Sequence, residues 1–263
     1  MTAIESAVLG LIQGLTEFLP VSSSGHLVIG QTLLGLRGDN LAFDVLVHGA
    51  TLMAVIVYFR GRLLELLRRP AWPYAGKLVV ATLPVVVFGL TLHPLIRDAF
   101  ARPPMVAGFL VITGGLLLSL YLRDRAVGPG TALREPGWGA ALTIGLFQAL
   151  ALLPGVSRSG STIVAGIWLG LAPAAAVEFS FLLAIPAIAG AIVYEAGSLG
   201  RAADGGMGGV FAVGAATAFA SALVAIGAVF RAVGRQQFRW FGFYCLAAAG
   251  TFAAWLAWGH GAG

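Results

Sequence analysis

Six stretches of this sequence, at about 41–59, 77–96, 104–122, 174–196, 209–230 and 238–258, are each long and apolar enough to fill the hydrocarbon core of a bilayer, which takes about 20 residues of helix. Several carry polar residues. Only 10% of the 263 residues are charged, 59% are hydrophobic, and the mean hydropathy is +0.91. A soluble domain carries about 25% charged residues. The expected class is therefore an all-α integral membrane protein. The net charge of +5 does not point to nucleic acid, because the basic residues are dispersed through short segments between apolar runs. Cys245, the single cysteine, sits in an apolar run and reads as a small packing residue, so no disulfide framework is expected. The opening MTAIESAVLGLIQG carries Glu5 and no Lys or Arg. It lacks the basic start of a cleavable signal and reads as part of the mature chain.

Two further apolar regions are interrupted. Residues 3–36 are broken near Pro20, and residues 138–170 at Pro154-Gly155. Each half is about 12 to 18 residues, short for a full crossing. Each region is expected to form a re-entrant hairpin of two half-helices with a polar tip. The tips read PVSSSGHL (Pro20–Leu27) and PGVSRSGST (Pro154–Thr162).

Charge between the spans sets the orientation. Arg60, Arg62, Arg68, Arg69 and Lys77 follow the first span, Arg123, Arg125 and Arg134 the third, and Arg231, Arg235 and Arg239 the fifth. These fall on one side. Arg37, Arg97, Arg102 and Arg201 fall on the other. The positive-inside rule puts the first group in the cytoplasm.

The chain also repeats itself. GLIQGL (Gly10–Leu15) matches GLFQAL (Gly145–Leu150), and SSSG (Ser22–Gly25) matches SRSG (Ser157–Gly160) at the same offset. LLG (Leu33–Gly35) then matches WLG (Trp168–Gly170), and AVIVY (Ala54–Tyr58) matches AIVY (Ala191–Tyr194) one residue further out of register. A hairpin plus three spans occurs twice, over about 1–122 and 138–258. Three is odd, so the second copy is inverted and the two tips are expected to meet near the midplane of one membrane domain, 1–263. Inverted repeats with broken helices around a central site are known from transporters.

Small residues at the tips serve close helix packing. That accounts for glycine, and for some serine, but not for Glu17, His26 and Arg158. Ionisable groups at membrane depth are costly and usually line a functional cavity. A serine-rich turn that opens a helix offers free N–H groups and a positive dipole end, which together cradle an anion. Arg158 adds a planar fork suited to phosphate. Binding alone does not need a carboxylate. Glu17 reads as a general base or a metal ligand, and His26 as an acid, a base or the activator of a serine. Ser23, at the centre of the triplet, is a candidate nucleophile; Ser22 and Ser24 read more readily as helix caps.

QGLTEFLPVSSSGH resembles the [E/Q]xxxE signature, with its following serine and histidine, of the undecaprenyl-diphosphate phosphatase (bacitracin-resistance) family, and PGVSRSGST resembles its PGxSRSxxT motif. EFSFLLAIP (Glu178–Pro186) is also similar to family sequence, and the resemblance covers essentially the whole chain. It implies removal of the terminal phosphate of undecaprenyl diphosphate, a polyprenyl lipid, to regenerate the carrier of cell-wall sugars. It implies catalytic roles for Glu17, Ser23, His26 and Arg158. Substrate would be bound by Gln13, Ser22, Ser24, Gly25, Ser157, Ser159, Gly160 and Thr162. It implies the bacterial inner membrane, with the site open to the periplasmic side, and stimulation by Mg²⁺ or Ca²⁺. Gln13 stands where the family also has Glu, and an amide binds such a cation less well. The sequence leaves a homodimer open.

Asp44 and Glu178 occupy near-equivalent places in the two repeats, each early in a span. Intramembrane charges usually pair, so each is expected to support the site by bonding a hairpin or orienting Arg158. His48, one helical turn after Asp44, is expected to pair with it, and His93 and His260 to be interfacial. The reading from a different class is a transporter or lipid flippase that uses the same anion site without covalent chemistry.

Overall fold

Thr2 starts the first helix with a capping box. Its hydroxyl accepts from the Glu5 N–H at 3.2 Å, and the Glu5 carboxylate accepts from the Thr2 N–H at 2.7 Å. The computed structural model describes residues 1–36, 40–126, 132–195, 208–234 and 237–259. Arg37, Arg201, Arg235 and His260 lie outside the described residues, as do the side chains of Arg123 and Arg125. Apart from one isolated bridge, between Leu133 and Leu171, the regular structure among the described residues is helical.

The helices are α1 (Ala3–Phe18), α2 (Ser23–Leu33), α3 (Leu41–Tyr58), α4 (Arg60–Leu66), α5 (Trp72–Thr91), α6 (His93–Phe100), α7 (Pro103–Ala126), α8 (Trp138–Leu150), α9 (Arg158–Trp168), α10 (Pro173–Tyr194), α11 (Gly208–Gly234) and α12 (Phe238–Gly259). Six of these segments are long and apolar enough to cross a membrane: Leu41–Tyr58, Arg69–Thr91, Pro103–Tyr121, Pro173–Tyr194, Gly208–Val233 and Phe238–Trp258. Five agree closely with the expected spans. The second was expected at 77–96, but its helix runs from Trp72 to Thr91. Two prolines set these limits. Pro73 lies in the first turn of α5, where a missing N–H costs nothing, and Pro94 opens α6 in the same way. Lys77 lies inside the helix because its ammonium reaches Glu135 at 3.2 Å.

α1 and α2 pack side by side, as do α8 and α9. With 11 residues each, α2 and α9 are only about 16 Å long, half a bilayer core. α1 lies along α11 at close range: a Cβ on Gly10 would run into the Gly214 carbonyl and the Thr217 hydroxyl, and one on Gly14 into Ser221 and Ala218. α8 lies along α5 in the same manner, with Gly145 against the Ala81 backbone. α3 packs on α10, and α7 on α12 through Gly114 and Gly242. Lipid offers little hydrophobic drive between helices, so this close backbone approach does the packing. The largest buried cluster joins both halves of the chain, with Phe18 edge-on to Phe181 at 5.0 Å and Phe179 edge-on to Tyr74 at 5.7 Å.

Candidate active site

The turns between α1 and α2, and between α8 and α9, are capped alike. Ser22 is the N-cap of α2 and its Oγ accepts from the Gly25 N–H at 3.3 Å; Ser157 is the N-cap of α9 and its Oγ accepts from the Gly160 N–H at 3.0 Å. In each turn the hydroxyl two residues on, Ser24 or Ser159, lies 3.3 Å from the cap hydroxyl. The backbones reach this geometry differently. The second turn puts its left-handed residue at Gly155, with φ +105°. The first puts it on Ser22, with φ 70°, a conformation that a side chain disfavours.

The two turns touch. Ser159 Oγ donates to the Leu19 carbonyl at 3.0 Å, and Gly25 faces Gly155 so closely that a Cβ on Gly25 would stand 3.1 Å from the Gly155 Cα. Thr113 of α7 pins the second turn, donating to the Gly155 carbonyl at 2.8 Å while accepting from the Ser157 N–H at 2.9 Å. Helix starts carry N–H groups without intrahelical partners. Those of α2 and α9 therefore open at the junction of the two turns, where an anion would be favoured.

Glu17, one residue before the end of α1, is the hub. Its side chain is 5% exposed. Oε1 accepts from Arg158 Nη2 at 2.5 Å. Oε2 accepts from Ser23 Oγ at 2.6 Å and from Gln13 Nε2 at 3.0 Å. The His48 Nε2 stands 3.7 Å from the same oxygen. Arg158 is held from the other side by the Ser180 carbonyl, 3.3 Å from Nη1, and stacks over the Phe18 ring at 5.9 Å. The Ser180 hydroxyl shares a 2.6 Å hydrogen bond with Thr162, which also donates to the Arg158 carbonyl at 2.8 Å. A buried carboxylate thus meets a fixed guanidinium on one oxygen and a serine hydroxyl on the other.

Of the residues singled out from the sequence, Gln13, Glu17, Ser23 and Arg158 come together in one network, with Ser22, Ser24, Gly25, Ser157, Ser159, Gly160 and Thr162 forming the turns around it. His26 stands apart. Its Nδ1 lies 2.7 Å from the Ser22 carbonyl and its Nε2 2.8 Å from the Tyr244 hydroxyl. Asp44 accepts from Gln31 of α2 at 2.7 Å, a bond to the first turn's second helix. His48 donates Nδ1–H to the Asp44 main-chain carbonyl at 2.7 Å, so its ring turns toward Glu17 rather than toward the Asp44 carboxylate. Glu178 bonds neither turn in this way; it accepts from Arg62 Nε at 2.9 Å, and Arg62 also reaches Glu65 at 3.0 Å. Burial works against the Arg62 charge, but the two carboxylates outweigh it and raise its pKa. Cys245 is buried with Sγ 3.8 Å from the Pro20 carbonyl, and His93 stands 3.6 Å from Glu195.

His48, Thr113, Ser180 and Tyr244 belong to the site but to neither serine motif. His48 and Ser180 share their helices with Asp44 and Glu178, whereas Thr113 and Tyr244 lie in locally apolar stretches. Only membrane depth itself marks such a residue as worth asking about. In the second turn's helices, Gln148 and Ser161 are buried with no partner for the amide or the hydroxyl among the described residues.

Mg²⁺ and Ca²⁺ favour six or more oxygens, carboxylates above all. Among the described residues no three His, Cys, Asp or Glu side chains come together. Glu17 is already neutralised by a guanidinium, and Gln13 turns its amide nitrogen, not its oxygen, toward it. Gln13 Oε1 is buried with no partner among the described residues, but one amide oxygen beside a paired carboxylate falls short of the oxygen cage that such an ion prefers.

Residues 6–251 match the family model described as bacitracin resistance protein BacA. The chain is 40% identical over 249 residues to the undecaprenyl-diphosphatase of Rhodopirellula baltica, covering 93% of this chain and 95% of that one. It is 38% identical over 248 residues to undecaprenyl-diphosphatase 1 of Stutzerimonas stutzeri, covering 92% and 90%. It is likewise 38% identical over 255 residues to the undecaprenyl-diphosphatase of Pseudomonas aeruginosa, covering 94% and 91%.

Proposed function

The chain belongs to the bacitracin resistance protein BacA family, and from that premise we propose that it is a membrane phosphatase that hydrolyses undecaprenyl diphosphate to undecaprenyl phosphate and inorganic phosphate. The observation that carries the chemistry is the 2.6 Å hydrogen bond from Ser23 Oγ to Glu17 Oε2, with Arg158 on the other carboxylate oxygen. A base in direct contact with a hydroxyl is the arrangement that nucleophilic catalysis requires. A transporter that only cradles the anion has no use for one, and that reading is not favoured.

The terminal phosphate sits between the two helix starts, its oxygens held by first-turn N–H groups and serine hydroxyls. A phosphate oxygen competes with Glu17 for the Arg158 guanidinium. As Arg158 turns to the phosphate, Glu17 loses its strongest charge partner and becomes a better base for the Ser23 proton. Ser23 Oγ then attacks the terminal phosphorus, its proton passes to Glu17, and the bond to the bridging oxygen breaks with undecaprenyl phosphate as the leaving group. Water hydrolyses the resulting phosphoserine. Arg158 and the two helix ends balance the charge that gathers on the phosphoryl oxygens. Gln13 steers the Glu17 carboxylate. In the variant route, Glu17 activates a water and Ser23 only binds the phosphate.

The two serine turns are the tips of re-entrant hairpins, and the chain is one domain of two inverted repeats, about 1–122 and 138–258. Supporting this are the matched serine caps and the exchange of partners, α1 on α11 and α8 on α5. The loops rich in arginine face the cytoplasm and the site opens to the periplasm, where the diphosphate carrier is released from cell-wall synthesis. Glu17, Ser23 and Arg158 come from one chain, so the reading needs no second copy. The test is phosphate release from detergent-solubilised undecaprenyl diphosphate by purified protein. Turnover that disappears in Glu17→Gln supports the phosphatase; no release by the wild-type protein overturns it.

A further inference from the structure

We infer that Tyr244, on the last helix and outside both serine motifs, is a positioning residue of the site. Its hydroxyl donates to Nε2 and fixes the plane of His26, whose Nδ1–H in turn holds the strained Ser22 peptide that presents Ser23 to Glu17. This rests on the phosphatase reading of that site.

The partners fix the proton positions. The Ser22 carbonyl oxygen can only accept, so His26 Nδ1, 2.7 Å away, carries the proton. The neutral ring then has a bare Nε2, which accepts from the Tyr244 hydroxyl at 2.8 Å. The two rings lie nearly parallel, 10° apart with centroids 5.5 Å apart, so Tyr244 sets the plane of the imidazole while the Ser22 carbonyl sets its tautomer. With both nitrogens engaged, His26 has none left for Ser23 or for a phosphate oxygen, so it acts through the backbone.

That backbone is unusual. Ser22 is the only non-glycine residue with positive φ among the described residues, and its carbonyl accepts from both the His26 ring and the His26 N–H, the latter at 3.1 Å. Such a peptide persists only where its surroundings over-determine it. Ser22 also orients the start of α2, whose first residue is Ser23. The next residue of α12, Cys245, abuts the same turn at the Pro20 carbonyl. The last helix thus braces the first turn at two adjacent positions, much as Thr113 of α7 braces the second. An aromatic that merely faced lipid would be indifferent to losing its hydroxyl.

The experiment uses full-length protein in detergent, labelled with ¹⁵N-histidine, the His26 signals being assigned with His26→Gln. Wild type is expected to show His26 protonated at Nδ1 alone. Tyr244→Phe keeps the ring and the fold. It should shift the His26 Nε2 signal, which loses its hydrogen-bond donor, and lower kcat by about three- to tenfold, the loss of one neutral hydrogen bond, with KM nearly unchanged. In a Tyr244→Phe/His26→Ala double variant, the tyrosine change should cost nothing further. Unchanged His26 nitrogen signals in Tyr244→Phe, wild-type kcat, or losses that multiply in the double variant would each overturn the inference. The nitrogen signals are read without substrate. A protein that released no phosphate but still showed the Nε2 shift would therefore sink the phosphatase reading alone, leaving the Tyr244–His26–Ser22 linkage standing.

Discussion

Arg158 and Glu17, 141 residues apart in the chain, form a single buried ion pair that ties one serine turn to the other, Nη2 to Oε1 at 2.5 Å with side chains 15% and 5% exposed. Such a pair does two jobs that mutagenesis can separate.

The first is stability. Removing one partner of a buried pair strands the other charge and costs about 3–5 kcal/mol. Arg158→Ala should therefore lower the Tm of the detergent-solubilised protein as well as abolish phosphate release. Arg158→Ala/Glu17→Gln, with both charges gone, should recover much of the Tm and none of the activity. Arg158→Lys should restore stability more than turnover, because a point charge cannot replace the fork. Near-normal turnover in Arg158→Ala would remove the phosphate-clamp assignment.

Ser23 separates the two chemical routes. If its Oγ attacks phosphorus, Ser23→Ala should lose far more than a hundredfold in kcat, and acid-quenched wild type should carry phosphate on Ser23. If water attacks, the alanine loses only one hydrogen bond to a charged group, about 1.5–3 kcal/mol, or roughly ten- to a hundredfold. The 2.6 Å contact with Glu17 favours the first outcome. Ser23→Ala within a hundredfold of wild type, with no phosphoserine, would hand the attack to water.

His48 stands 3.7 Å from Glu17 with its ring fixed by the Asp44 carbonyl. It is close enough to steady the carboxylate without making a short hydrogen bond. His48→Gln, which keeps a donor there, should retain most of the turnover. His48→Ala should lose about tenfold, and His48→Glu, a like charge beside Glu17, more than either. Steady-state kcat checks the order, and equal kcat in all three would remove His48 from the site.

Sidedness is open to cysteine labelling in intact cells, with little background because Cys245, the only native cysteine, is buried. A cysteine replacing Arg68 should react only with reagents that enter the cytoplasm. One replacing Arg97 should react from outside. Labelling of both from the same side would defeat the proposed topology.

Much of this architecture was legible in the sequence because membrane helices announce themselves by length. Span ends were less so: Lys77 looks like a boundary, yet its long stem lets the ammonium reach Glu135 from within α5. The central trio was legible too, since Glu17, Ser23 and Arg158 all lie in dense local motifs. His48 was not. Spacing of four along a helix makes Asp44 its neighbour, but spacing says nothing about rotamer, and the ring points away to Glu17. Glu178 looked like the counterpart of Asp44, but the arginine it meets is Arg62, not Arg158. Tyr244 and Thr113 carry no local signal at all, because a lone polar side chain reveals its partner only once the helices are packed.

Ser23 and Arg158 each stand first in a helix, immediately after a serine cap. In register they are the same position, filled by a hydroxyl in one turn and a guanidinium in the other. Two identical half-length chains assembled about a twofold axis would carry the same residue at both places. They could supply a pair of hydroxyls or a pair of guanidiniums, but never one of each. Joining the halves in a single polypeptide releases that position from the symmetry, so that each copy can specialise: one keeps the nucleophile and its base, the other the charge that draws the substrate in.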